Sequence, residues 1–158
     1  MGNYFLMSFR FNKSLPEDFG LIKSENLDLF KNLKDGSFWI QRSLYDYGWG
    51  KENGFCKTPI PDFNELVDII LSSKSEDDKY GAAAIILEDF CTELLDKCFK
   101  IFEDEKNIKK YCSFFEILHL DTPINRSPIK GKHFNEVSED FEKWKQVSIK
   151  VKQYLHKK

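Results

Sequence analysis

The class of fold turns on Phe38-Trp39-Ile40-Gln41-Arg42-Ser43-Leu44-Tyr45-Asp46-Tyr47. Its aromatic residues suit a strand, yet Trp39, Ile40, Ser43, Leu44 and Tyr47 fall at i, i+1, i+4, i+5 and i+8, which is the spacing of a helical face. The second pattern predicts a helix over 38–47. Immediately upstream, Asp35-Gly36-Ser37 stops one element and starts the next. Ser24 can cap a helix that carries Leu27, Phe30 and Leu33 at helical spacing. Farther back, Leu15-Pro16-Glu17-Asp18 is a connector, and Phe5, Met7, Phe9 and Phe11 lie on one side of a short strand or extended arm. Downstream, Gly48, Gly50 and Gly54 followed by Pro59 and Pro61 predict a long irregular loop.

From Asp62 onward the helical pattern is plain. Asp62 is a good N-cap, Glu65 completes a capping box, and Phe63, Leu66, Val67, Ile70 and Leu71 form the apolar stripe. Acidic residues between Ser75 and Lys79 suit a helix N-terminus. That helix carries Tyr80, Ala83, Ala84, Leu87, Phe90 and Cys91, and the stripe continues through Leu94, Leu95, Cys98, Ile101 and Phe102. An unbroken helix here would be unusually long, so a break near Thr92 is favoured. Ile108, Tyr111, Cys112, Phe115, Leu118 and His119 make a further face. Residues 120–134 form a loop around Pro123, Asn125, Pro128 and Gly131. A last helix starts near Asn135 and turns Val137, Phe141, Trp144, Val151 and Leu155 inward. These stripes predict a mainly α protein, built as antiparallel helical layers or a short α-α superhelix with a short N-terminal strand. It is expected to be a single domain over 1–158, with an N-terminal part (1–61) and a helical part (62–158).

The chain has 158 residues, a length that can bury a core without disulfides or metals. Its fifteen phenylalanines are read as core. Cys56, Cys91, Cys98 and Cys112 form no CxxC pair, and three of them sit inside apolar helical patterns, which predicts reduced, packed thiols. With neither a signal-peptide pattern nor an apolar run near the roughly 20 residues that span a bilayer, a cytoplasmic protein is expected. A net charge of −2 gives no reason to expect nucleic-acid or membrane binding. The charge is unevenly placed, however. Residues 76–105 hold ten acidic and three basic side chains, and residues 106–158 hold twelve basic and six acidic ones.

Within the acidic stretch, Glu88, Asp89, Glu93 and Asp96 are candidates for a face that steers a basic protein partner. Tyr47 and Trp49, set between glycines, are candidate partner contacts. An alternative is an enzyme or ligand-binding protein in which Arg126, Ser127, Lys130 and Lys132 close around an anionic substrate, although there is no P-loop pattern. His119, Asp121 and His133 match no metal-ligand spacing, so neither a metal nor a cofactor is expected. No residue stands out as catalytic.

Two likenesses follow from these residues. Asp78-Lys-Tyr-Gly-Ala-Ala-Ala-Ile-Ile-Leu87, with Leu94 and Leu95 after it, resembles one helix pair of a HEAT-type repeat, in which small residues let helices approach closely. No second copy occurs at a period of about 40–47 residues. A Lys-, Asn- and Phe-rich domain without a catalytic motif is also similar in general character to the bacterial immunity proteins that neutralise toxin domains. That likeness implies a protein-binding inhibitor and transfers no residues.

Overall fold

A computed structural model describes residues 2–7, 15–26, 28–46 and 51–156. The chain divides into two compact units, Met1–Ile85 and Ile86–Lys158.

The first unit is built on an antiparallel sheet, which overturns the mainly α expectation. Its strands are β1 (Phe5–Met7), β2 (Leu21–Lys23), β3 (Phe30–Asn32), β4 (Phe38–Asp46) and β5 (Lys51–Lys57), in the order β1-β5-β4-β3-β2. The fold is therefore mixed α/β, not helical layers or an α-α superhelix. Residues 38–46, expected as helix, form the central strand. Trp39 lies opposite Phe30 and Lys57, and Gln41 lies opposite Phe55. On one face of the sheet Leu6, Leu21, Phe30, Trp39 and Phe55 join Phe19, from a 3-10 turn at Pro16–Phe19, in a buried cluster. Phe55 meets the rings of Phe19 and Phe30 edge-on, with centroids 5.6 and 5.3 Å apart. On the other face Phe5, Leu44 and Cys56 are buried as well. A strand buried on both faces carries adjacent apolar residues, such as Trp39-Ile40 and Phe55-Cys56, and loses the strict alternation that identifies a strand.

The residues expected to cap and stop a helix instead shape hairpins. Ser24 donates its hydroxyl to the Asn26 carbonyl (2.8 Å), and its N–H bonds the Leu29 carbonyl (3.0 Å), closing the β2–β3 connection. In the β3–β4 turn Gly36 has φ 75°, a left-handed conformation that glycine adopts without strain. The Asp35 carboxylate accepts the Ser37 hydroxyl (2.6 Å) and N–H (2.8 Å), bonds that hold its pKa below the usual value. The Ser37 hydroxyl in turn accepts the Trp39 indole N–H (2.8 Å). Gly54, expected in a loop, lies within β5. A Cβ there would come 2.7 Å from both the Leu44 side chain and the Leu6 carbonyl oxygen, so the glycine allows strands to approach closely.

Helix α1 (Phe63–Ser72) begins as the sequence predicts. Glu65 N–H donates to Asp62, and Asp62 N–H donates to Glu65, each at 2.9 Å. Leu66, Val67 and Ile70 are buried along its stripe. In α2 (Glu76–Asp89) the first turn carries a buried carboxylate, Asp78. It accepts the backbone N–H groups of Asn3 (3.0 Å), Tyr4 (2.8 Å) and Phe5 (3.0 Å). One turn farther on, a Cβ at Gly81 would lie 2.2 Å from the Phe5 ring, so the small residue of this stretch accommodates the N-terminal strand.

The second unit holds α3 (Cys91–Glu103), α4 (Glu105–Ile108), α5 (Cys112–Ile117) and α6 (Phe134–Leu155). The expected break falls at Phe90, whose φ of −130° lies outside the helical range. Cys91, Leu94, Leu95, Cys98, Ile101 and Phe102 form the buried face of α3. In α6 Trp144, Val147, Ser148 and Val151 are buried, whereas Phe141, expected inside, is 38% exposed. Burial of this helix begins only at Trp144, and Phe134, at its start, is 83% exposed. Among the described residues no helix is long and apolar enough to cross a membrane.

Three of the thiols are buried and that of Cys112 is half-buried. Burial pushes Cys98 up to about 12 and Cys56 up to about 11, from an ordinary 9.0. It also raises Cys91, whose thiol donates to the Leu87 carbonyl (2.9 Å). Between about pH 9 and 12 an unfolded chain would lose these protons while the folded protein keeps them. Stability should therefore hold below about pH 9 and fall as the pH rises through the folded values. Denaturant titrations from pH 7 to 11 should show that decline, and it should be shallower in Cys98→Ala. Thiol titration of the unfolded protein should count four free thiols. A pH-independent stability over this range would contradict the burial of the thiols as protonated groups.

Candidate functional site

Glu88 and Asp89 end α2, and Glu93 and Asp96 lie on the first half of α3; all four are exposed. Glu93 and Asp96, three residues apart, share the outer side of α3, opposite the buried arc of Leu94, Leu95 and Cys98. Burial is the main cause of the raised Cys91 pKa; Arg126 lowers it, and Glu93 and Asp89 raise it further. Asp89, the last residue of α2, and Glu93, in the first turn of α3, lie on either side of the break at Phe90. Glu88 and Asp89 also stand in the last turn of α2, where a helix dipole disfavours negative charge. Tyr47 and Trp49 lie outside the described residues.

The candidate anion loop is engaged within the protein. Arg126 donates to the carbonyls of His119 (2.6 Å), Thr122 (3.2 Å) and Ile124 (3.3 Å), all in the segment that follows α5. Its guanidinium carbon lies over the Trp144 ring, 5.3 Å from the centroid, and burial holds its pKa below the usual value. The Trp144 indole N–H donates to the Ser127 hydroxyl (2.8 Å), and Ser148 donates to the Asp121 carbonyl (2.7 Å). Arg126 and Ser127 meet at Trp144 and fasten the loop to α6. Lys132 pairs with Asp140, and Lys130 is exposed.

The residues considered for metal binding are also placed apart in role. His119 is exposed with a left-handed φ of 51° at the end of α5, and His133 is the N-cap residue of α6, its N–H donating to Glu136 (2.8 Å). Among the described residues no three or more His, Cys, Asp or Glu side chains gather as a metal site.

One feature of the surface escaped the sequence stripes. Phe99, Phe102 and Ile149 line a groove of about 560 Å3 between α3 and α6. Phe99 lies off the buried arc of α3, and Ile149 is 51% exposed in a lysine-rich stretch of α6. An apolar residue on a polar helical face was the available signal in both cases. Comparison with protein-family models, with characterised proteins and with solved structures gives no match.

Proposed function

We propose that this chain is a cytoplasmic protein-binding module, of the type that inhibits a toxin in an immunity or antitoxin pair. Its acidic surface of Glu88, Asp89, Glu93 and Asp96 meets a basic partner. The exposure of all four carboxylates around one helix break is the observation that carries this reading. Long-range attraction sums over such charges and acts before contact, so the cluster raises the encounter rate although each exposed pair adds only about 0–1 kcal/mol. Glu88 supports the same reading from a second side. Its place at the negative end of α2 costs the helix about 0.3–1 kcal/mol, so it is not accounted for by folding. The unpaired thiols suit a reducing compartment.

The test is partner capture from the source cell's lysate over a salt series, comparing the wild type with a Glu88→Lys, Glu93→Lys double variant. The wild type should retain a basic partner at low salt and release it as salt rises, while the variant should fail to retain it. Folding stability should change by less than about 1 kcal/mol. Equal capture by both proteins at every salt concentration, or no partner for either, would contradict the proposal.

A further inference from the structure

Helix α6 is longer than the surface on which its own unit buries it. Its 22 residues span about 33 Å, but burial begins at Trp144, and the turns before it leave Phe134 83% and Phe141 38% exposed. Every exposed large apolar side chain described in the second unit, namely Ile124, Ile129, Phe134, Phe141 and Ile149, belongs to α6 or to the loop before it. Asn125 donates to the Val137 carbonyl (3.4 Å) and holds that loop against the same end of the helix. At about 200 Å2 per ring, Phe134 and Phe141 alone leave roughly 240 Å2 uncovered. With the isoleucines added, the apolar area reaches the few hundred Å2 at which a patch is often functional.

Charge identifies what covers it. From Phe134 to Glu142 the helix carries four carboxylates, Glu136, Glu139, Asp140 and Glu142, and no cation; from Lys143 to Leu155 it carries four lysines and no carboxylate. A helix dipole favours acids in the first turn and cations in the last, but its reach ends there and does not explain a change of sign at the middle. Asp140 is held by Lys132, and Glu136 accepts the His133 N–H, whereas Glu142, Lys143 and Lys145 all stand exposed at the switch. Such a helix is its own complement when turned end for end, because the acidic half of one copy then meets the lysine half of another. A parallel pair would set like charges together. We infer that α6 pairs with α6 of a second copy of this chain, antiparallel across a two-fold axis next to Lys143. Phe134, Phe141 and Lys145 stand at i, i+7 and i+11 and share one side of the helix, with Glu142 at its edge. The axis sets Glu142 of each copy opposite Lys145 of the other, and Phe141 beside both. Two-fold pairs of this kind use one patch twice and close on themselves. A strip of about 33 by 10 Å is small for a permanent interface, which puts the association in the micromolar range or weaker. The contact goes beyond the protein-binding reading above and is independent of it, since Glu88, Asp89, Glu93 and Asp96 are not on α6.

Sedimentation equilibrium of the full-length chain from about 5 to 300 µM at low salt should show a reversible monomer–dimer equilibrium that weakens as salt rises. Phe134→Ser, at a largely exposed position, should raise the dissociation constant by about tenfold. Glu142→Lys and Lys145→Glu should each do the same, because each sets like charges across the axis. An equimolar mixture of these two charge variants should associate about as tightly as the wild type, since each copy then offers the other the opposite charge. A change confined to one helix would not be relieved by mixing. Circular dichroism of each variant would establish that it is folded, and the Glu88→Lys, Glu93→Lys variant should dimerise like the wild type. A wild type that stays monomeric over the whole range would overturn the pairing, as would a mixture of folded charge variants that associates no better than either alone.

Discussion

Asp78→Ala should lower the unfolding free energy by about 3–5 kcal/mol, because three backbone donors converge on a carboxylate that is only 1% exposed. Hydrogen bonds to a charged acceptor contribute roughly 1.5–3 kcal/mol each, but the three share one side chain and will not add fully. Two of the bonds are only partly buried, so water can replace part of what is lost. The alanine would still leave the Phe5 N–H buried without this acceptor. Phe5 sits against Gly81 and its strand pairs with β5, so loosening the N-terminus also weakens one edge of the sheet. Urea denaturation should register the loss, and the amide protons of Asn3, Tyr4 and Phe5 should exchange faster than in the wild type. A loss below about 1 kcal/mol with unchanged exchange would mean that Asp78 does not hold the strand.

Trp144→Ala should cost a comparable amount, about 3–5 kcal/mol, by a different route. The indole is fully buried, and its removal leaves a cavity beside Val147 and Val151 that the remaining side chains can only partly fill. It also removes the donor to Ser127 and the ring over which the Arg126 guanidinium lies, so the loop joining α5 to α6 loses two of its attachments. Trp144→Phe separates these contributions, since it keeps most of the packing while deleting the N–H. That variant should lose clearly less than the alanine. Chemical denaturation measures both changes, and limited proteolysis between residues 119 and 132 should quicken in the order wild type, phenylalanine, alanine. A Trp144→Ala loss below about 1 kcal/mol would show that α6 is not docked through this residue.

What the sequence reveals about this fold depends on how local the determining interactions are. The α1 start was legible because its capping box is complete within Asp62–Glu65. The break before α3 and the burial of Trp144 and Val151 were legible from helical stripes and helix length. The sheet was not, because its strands are specified by partners far along the chain. Phe55 meets Phe19 and Phe30, and Phe5 meets Gly81, contacts that no short window contains. Burial of both faces then supplied adjacent apolar pairs that fit a helix equally well. Gly54 adds to this, since a glycine at a close approach reads the same as a glycine in a loop.

The candidate site divides in the same way. Exposure of Glu88, Asp89, Glu93 and Asp96 follows from their position off the apolar stripes, which local periodicity can reveal. Arg126 and Ser127 form a cation-and-hydroxyl pair that suits an anion, yet their structural partners are carbonyls just after α5 and the Trp144 indole. Those partners become neighbours only once α5, the loop and α6 are assembled, so the loop composition could not distinguish a fastening from a ligand site. Phe99 and Ile149 carried a visible signal, each being apolar on a charged helical side, and both line the groove between α3 and α6.

The measurement that bears most directly on the proposed function is the rate of association between this chain and its captured partner as ionic strength is raised, for wild type and for the Glu88→Lys, Glu93→Lys variant. Stopped-flow mixing from about 20 to 500 mM salt covers Debye lengths from well beyond one side chain to only a few ångström. If the acidic surface steers the encounter, the wild-type rate constant should fall by about tenfold or more over this range. The variant should start slower, vary less, and approach the wild type at high salt. Identical rates with identical salt dependence in the two proteins would contradict the account.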